Sequence, residues 1–417
     1  CMKILLSTGN GRLHLITSAR YLKKTKINID VLTGWLPKSE TSITIKLASF
    51  LTGHKNLASG MQKRLTPGTG IRMISCALPE FFTQFLFLLS KKTGIITKDV
   101  AATIGWTFFG WYSGFYIKDY DIFHVRAGAG CGGAIIKAKK QGMKVVTDYS
   151  IAHPSFFDES VNPEIQKYNQ KPFITSSSRF WKMAMRDCNL ADIVLVNSHF
   201  VKQTFVDYGF DENKIKVVYL GVREDFYRLK KDYTKDEALR ILFTGSFEIR
   251  KGAEYILKAM QVLDQMQFPY ELIIVGSNME ASNLLKKYPV KCLDLVGHVP
   301  QDELKDYLAT ADIYLFPSLG EGCAVSAMEA MAAGLPVIAT RESGVPIIDH
   351  VDGMQIPFKS EKNIVDAILE LNNNINLREK LGKNAAEKII NNYSWNAYSE
   401  QVKNLYSKIL GTIRRSS

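Results

Sequence analysis

Short apolar, β-rich runs alternate along this chain with longer stretches in which apolar residues recur at helical spacing. That alternation predicts parallel strands covered by helices. Lys3-Ile-Leu-Leu-Ser7 reads as a strand, Gly9-Asn-Gly-Arg-Leu-His14 as a turn and Leu15 to Lys24 as a helix. Asn28 to Thr33, Ile122 to Val125, Lys144 to Thr147 and Asp192 to Asn197 supply further strands. After Asp225 the chain becomes polar and charged, from Phe226 to Glu237, with no strand in it; this marks a linker over 223–238. A second series then begins, with strands at Arg240 to Thr244, Glu271 to Val275, Leu293 to Val296, Ile313 to Pro317 and Val337 to Ala339, each followed by a helical pattern. The expected fold class is α/β, with two Rossmann-like doubly wound domains at 1–222 and 239–392 and a terminal helix within 393–417.

Composition narrows the class. The 417 residues are 46% hydrophobic and 23% charged, which excludes wholesale disorder and a collagen-like chain and suits two cores. The formal net charge is +12, and residues 1–100 hold 15 Lys and Arg against four acids (Asp30, Glu40, Glu80, Asp99), an excess of 11. A field of that sign draws an anion to one end of the molecule, whether nucleic acid, phospholipid surface or phosphate-bearing substrate. No nucleic-acid recognition motif is found in the sequence, so no nucleic acid is expected as a partner.

The six cysteines show no CxxC or Cys/His spacing. Neither a structural zinc site nor a disulfide framework is expected, and a reducing compartment is the simplest reading. Cys1 precedes Met2, and the Lys3 to Ser7 run is too short for the apolar region of a signal peptide, so a cytoplasmic location is expected. Val100 to Ile117 is uncharged and rich in aromatics, but glycines, threonines and a serine dilute it and it falls just short of the roughly 20 apolar residues that span a bilayer.

The most specific chemistry lies in Pro317-Ser-Leu-Gly-Glu-Gly-Cys-Ala-Val-Ser-Ala-Met-Glu-Ala-Met-Ala-Ala-Gly-Leu-Pro-Val-Ile-Ala-Thr340. A strand ends at Pro317, Gly320 and Gly322 permit a tight backbone, and a helix starts near Ala324 and runs to a stop at Gly334-Leu-Pro336. The free amides of that helix start suit an oxyanion, above all a diphosphate. Glu321 in the loop and Glu329 on the helix can reach opposite parts of one ligand, and hydroxyl-rich groups such as a sugar and a ribose suit them. Taken alone, two such glutamates would equally suit a solvated surface.

The surrounding residues resemble the Glu-x7-Glu signature of the retaining GT-B glycosyltransferases of glycosyltransferase family four. Ile241-Leu-Phe-Thr-Gly245 followed by Arg250-Lys251-Gly252 is similar to the family's strand, loop and basic diphosphate clamp, and Leu295-Val-Gly-His-Val299, Ala311 to Ser318 and Tyr393-Ser-Trp395 match in order and spacing. Ala191 to Ser198 and Val217 to Val222 fit as well, whereas residues from about 35 to 115 show no motif that can be placed. The resemblance implies a GT-B fold, two domains facing each other across a cleft, with the helix after Trp395 crossing back to the N-terminal domain.

By that resemblance Glu321 contacts hydroxyls of the transferred sugar, Glu329 contacts the ribose, Arg250 and Lys251 neutralise the leaving diphosphate, and backbone at Gly297, His298 and Val299 holds the base. Gly245, Gly322, Ala324 and Val325 complete the donor side. His153 resembles the family's active-site histidine on the N-terminal domain, where it would position the donor sugar; a structural, hydrogen-bonded role fits it equally. Gly11 is a further candidate near the donor diphosphate, although Gly9-Asn-Gly11 is a weak dinucleotide signal, lacking the third glycine and the acid that ends the second strand. The Gly128 to Gly133 run reads more readily as a tight strand-to-helix turn.

The expected function is a retaining, metal-independent hexosyltransferase that uses a nucleotide diphosphate sugar, with UDP-sugar as the first donor to consider, and a glycan, lipid-linked or other hydroxyl acceptor. No cofactor and no metal are expected, since no Asp-x-Asp suited to hold one on a diphosphate stands out. Two alternatives are a sugar-nucleotide epimerase on the same fold and a non-catalytic, membrane-associated relative. Pro79 to Lys92, an apolar run ending in paired lysines, and the aromatic stretch after it would suit either an anionic membrane surface or a buried core helix with a basic face.

Overall fold

The computed structural model describes residues 2–11, 14–36, 70–234, 237–277 and 281–414. Their strands form two parallel sheets. The first holds β1 (Lys3–Ser7), β2 (Asn28–Thr33), β3 (Arg72–Ser75), β4 (Ile122–Arg126), β5 (Lys144–Tyr149), β6 (Ile193–Val196) and β7 (Ile215–Val217), in the spatial order β3-β2-β1-β4-β5-β6-β7. The second holds β8 (Leu239–Thr244), β9 (Tyr270–Val275), β10 (Leu293–Gly297), β11 (Ile313–Phe316), β12 (Val337–Thr340) and β13 (Met354–Ile356), in the order β10-β9-β8-β11-β12-β13. Central strands such as Ile313-Tyr-Leu-Phe316 are buried throughout, which is why they read as unbroken apolar runs. Strand order reverses between β1 and β4 and again between β8 and β11; the crevice beyond the C-terminal ends of such a pair is where doubly wound sheets take ligands.

The chain packs as two compact units. One comprises Cys1–Tyr149, Ser177–Leu195 and Ser399–Ser417, the other Ser150–Ser176 and Val196–Tyr398. In the first, Leu5, Leu32, Phe123, Val125 and Val145 build the core with Trp106 and Phe109. Asp99 accepts the Arg179 and Phe180 N–H groups and so caps the helix Arg179–Leu190. Asp187 accepts from the Gly128 and Gly130 N–H groups at 2.8 and 2.9 Å, fixing the glycine-rich turn, and burial pushes its pKa up to about 7 despite those bonds. The last helix, Trp395–Arg414, belongs to this unit from Ser399 onward, and its buried Tyr406 hydroxyl lies 2.5 Å from His124 Nδ1.

The region without a recognisable motif contains β3 and the helices Ala77–Thr93 and Lys98–Ser113; residues 37–69 of it, and Arg12 and Leu13 of the first turn, lie outside the described residues. The uncharged aromatic stretch forms most of the second of these helices, burying Ala101, Gly105, Trp106, Phe109 and Gly110. Among the described residues no helix is long and apolar enough to cross a membrane. The expected linker is packed rather than free: Phe226, Lys230 and Tyr233 are buried, the Arg228 and Lys230 N–H groups donate to Ala332 and Ala333 carbonyls, and the Tyr233 hydroxyl donates to the Gly334 carbonyl. The chain does contain one Asp-x-Asp, Asp119-Tyr-Asp121. It immediately precedes β4, at the opposite edge of the sheet from the crevice, where Asp121 accepts the Lys3 N–H.

Candidate active site

The second unit concentrates its chemistry where β8 and β11 part. After β8 the chain turns at Gly245 and makes a short helical turn, Ile249–Lys251, that ends at Gly252. Gly252 sits at φ +83°, and a Cβ there would stand 2.2 Å from the Pro317 carbonyl oxygen, so only glycine lets the loops after β8 and β11 meet. The Leu319 N–H then donates to the Arg250 carbonyl at 2.8 Å.

The loop Pro317 to Ala324 is held from several sides. Its Glu321 and Ala324 N–H groups donate to the Glu342 and Ser343 carbonyls, both at 2.9 Å, and the Ser198 hydroxyl donates to the Gly322 carbonyl. A Cβ on Gly322 would lie 1.9 Å from the Ser150 carbonyl oxygen, so the segment 150–161 is pressed against this loop. The expected helix follows at Val325–Ala333 and ends on left-handed Gly334. No side chain caps its start, and the Val325 and Ser326 N–H groups find no acceptor among the described residues. Their donors and the positive end of the helix dipole are therefore available to an anion.

Around that helix start the side chains differ in what they leave open. Arg250 is committed: Nη1 donates to the Gly320 carbonyl at 3.1 Å and pairs with Glu321 Oε1 at 2.6 Å, Nη2 pairs with Glu248 at 2.6 Å, and the guanidinium lies over the Phe173 ring. The Glu321 contact is an ion pair without good hydrogen-bond alignment. Lys251 has no acidic partner among the described residues, and its ammonium lies near Gly245 and above the Phe316 ring. Among the described residues Glu329 also lacks a hydrogen-bond or ion-pair partner. Burial pushes its pKa up to about 7, opposed by the charge of Arg223 and reinforced by Asp225.

Gly297 lies at the end of β10, and its carbonyl accepts the Gly276 N–H at 2.7 Å; the Gly245 N–H donates in turn to the Val275 carbonyl. These bonds string Gly297, Gly276 and Gly245 along one sheet edge, with exposed His298 and half-buried Val299 following Gly297. His153 belongs to the same unit. It is buried against Phe205, Tyr208 and Phe210, stacked on Tyr208 at 4.8 Å, and its Nδ1 accepts the Ser155 N–H, which assigns the proton of the neutral ring to Nε2. Burial lowers its pKa to about 4. Gly11 is placed in the first unit, against Arg126.

Sequence reasoning missed Tyr314, whose hydroxyl joins Thr244 Oγ1 (2.8 Å) to Ser326 Oγ (3.0 Å) and so ties the end of β8 to the helix start. It also missed Gly276 and the Glu342-Ser343-Gly344 turn. The only local signal for the turn was Gly344, at φ +68°.

Residues 225–388 match the family described as Glycosyl transferases group 1, and residues 103–226 match Glycosyltransferase Family 4. The amylovoran biosynthesis glycosyltransferase of Erwinia amylovora is 32% identical over 192 residues, 43% of this chain and 47% of that protein. The chain spans about half the length of several curated relatives that it matches. Among solved structures, a sucrose-phosphate synthase from Thermosynechococcus elongatus superposes with a TM-score of 0.67 at 17% identity, covering 99% of this chain and 100% of that one. Anabaena HepE in complex with UDP and glucose superposes with a TM-score of 0.62 at 14% identity, covering 98% and 100%. At those identities the likeness is one of fold. Residues 103–226 and 225–388 thus match family 4 and group 1 glycosyltransferase domains in chain order, on two parallel-sheet α/β domains whose solved neighbours are GT-B glycosyltransferases in fold.

Proposed function

We propose that this protein is a retaining, metal-independent hexosyltransferase that moves a sugar from a nucleotide diphosphate donor, with UDP-sugar as the first candidate, to a hydroxyl of a glycan or lipid-linked acceptor in glycan biosynthesis. The observation that carries this reading is a set of groups on the turn after β8 and on the helix after β11 that have no hydrogen-bond or ion-pair partner among the described residues: the Val325 and Ser326 N–H donors, the Lys251 ammonium and the Glu329 carboxyl. Support also comes from the two family matches, from the relative named for amylovoran biosynthesis and from HepE, solved with UDP and glucose.

The helix start and Lys251 take the diphosphate, where their positive charge counts most as the departing phosphate gathers negative charge in the transition state. Glu329 accepts hydrogen bonds from the ribose diol. Glu321, steadied by Arg250, accepts from hydroxyls of the transferred sugar, and Arg250 adds positive charge beside it. The bond from the anomeric carbon to the phosphate oxygen breaks while the acceptor oxygen bonds the same carbon on the same face, and the leaving phosphate takes the acceptor proton. His153 Nε2–H is then a positioning donor rather than a nucleophile or base.

On the acceptor side, we place the protein at an anionic membrane surface, through the aromatic residues left exposed on Ala77–Thr93 and Lys98–Ser113. The enzymatic reading is tested by product analysis with a panel of nucleotide sugars in the presence of a chelator. Transfer with retained anomeric configuration is expected. Inverted product, activity that returns only on adding a divalent ion, or release of sugar with no acceptor product would each overturn it.

A further inference from the structure

The first sheet has a crevice of its own, between the turns that follow β1 and β4, and one side chain there is at odds with its surroundings. Arg126 ends β4. Its cross-strand neighbour in register is Asp148, so the two project from the same face of adjacent parallel strands, the arrangement that ordinarily yields an ion pair. No such pair forms. Asp148 Oδ2 is taken by His14 Nε2 at 3.1 Å, with His124 Nε2 at 3.7 Å. Arg126 instead turns toward the loop after β1 and lies over the Trp106 ring, 4.9 Å from its centroid. Its half-buried guanidinium makes no hydrogen bond or ion pair among the described residues; burial lowers its pKa to about 10, opposed by the charge of Asp148.

A guanidinium stacked on a fixed ring with no protein acceptor on its N–H edge is a ready site for an anion. Stacking uses the face of the group and leaves the N–H edge free in the plane, where it matches a carboxylate or phosphate two bonds at a time. The edge is also uncovered. Gly11 stands beside it, and a Cβ at that position would fall 2.5 Å from Nη1. The wall behind is fixed, since Trp106 is itself buried and packs edge-on against Phe180. In the same turn Asn10 Oδ1 is buried without a donor, a place for a ligand hydroxyl.

We propose that Arg126, with the turn at Gly11, forms an oxyanion subsite in the first unit that takes a phosphate or carboxylate borne by the acceptor. The word acceptor rests on the glycosyltransferase reading; the subsite itself does not.

The test is calorimetric titration of the full chain with glucose 6-phosphate, with glucuronate and with neutral glucose, in a buffer free of phosphate and with UDP present. At least one anionic probe should bind and glucose should not. Arg126→Gln should weaken the bound probe by about tenfold or more, the usual weight of a charge-assisted pair of bonds. Gly11→Ala, whose methyl displaces the guanidinium without altering its charge, should act in the same direction and carries the test if Arg126→Gln does not fold. A response to the phosphate alone names a phosphorylated acceptor, and one to glucuronate alone names an acidic sugar. The subsite is refuted if neither anion binds the unaltered protein, or if both variants bind as it does. UDP affinity, read in a separate titration, reports the donor reading independently, so the two can fail separately.

Discussion

Glu329 sits where burial disfavours its ionised form, and a ligand changes that balance. Ribose hydroxyls donate to a carboxylate better than to a carboxylic acid, so binding should draw the pKa down from about 7 and release a proton. Nucleoside affinity should therefore rise with pH through about 7 and level off above it. Uridine is the probe of choice because no phosphate titrates, and a flat profile between about pH 6 and 8 in the unaltered protein would contradict this. Glu329→Gln should flatten the profile. In the free protein the sign is reversed for stability: the raised pKa means the fold favours the protonated group, a contribution present at low pH and lost as pH rises from the ordinary 4.5 to about 7. Glu321 should behave differently, since it stands in the loop and not on the helix. Glu321→Ala is expected to lower kcat by orders of magnitude with little change in nucleotide affinity, while Glu329→Ala should mainly weaken nucleotide binding. Equal effects of the two on both quantities would remove the distinction drawn between them.

At the scale of elements, the two βα series were legible because parallel strands buried on both faces appear as continuous apolar runs between turn residues. β7 and β13 were not, for they hold only three residues each, and β3, Arg72-Met-Ile-Ser75, sets only two apolar residues between a charge and a hydroxyl, too little to read as an apolar run. The loop and helix of the site were legible for a similar reason, with Gly320 and Gly322 before the helix and Gly334 after it. What fixes the loop in place was hidden, because its partners at Ser150, Ser198, Glu342 and Ser343 are distant in sequence and act mostly through backbone. Tyr314, likewise, reads as one more apolar strand residue until its hydroxyl is seen between Thr244 and Ser326. This hidden packing makes a prediction for Gly322→Ala. Its methyl would meet the Ser150 carbonyl, which is backbone and cannot swing aside, so a loss of about 1–3 kcal/mol of stability is expected along with displacement of Glu321. Denaturant unfolding and turnover check the two halves, and a variant matching the parent in both would show that the contact yields easily.

For the molecule as a whole, charge and apolar exposure coincide in one stretch of chain. Phe85, Trp111 and Phe115 expose 59%, 54% and 61% of their surface, far more than core aromatics do, and Leu78, Phe81, Leu88 and Ile95 are exposed on the same two helices or between them. Lys91, Lys92 and Lys98 are exposed at their junction. A basic, aromatic face of this kind binds an anionic leaflet by burying apolar side chains and by gaining about 1 kcal/mol per Lys or Arg near the surface. The electrostatic part is screened within a Debye length of about 10 Å at 0.1 M salt, whereas the apolar part is not. Co-sedimentation with vesicles containing phosphatidylserine should therefore show strong binding at low salt that weakens, without vanishing, at high salt. Trp111→Ser with Phe85→Ser should remove the residual high-salt binding, since both side chains are largely exposed and the fold does not depend on burying them. A protein that stays in the supernatant at low salt would rule out the membrane as the partner of this face and leave its exposed aromatics to a protein or glycan surface.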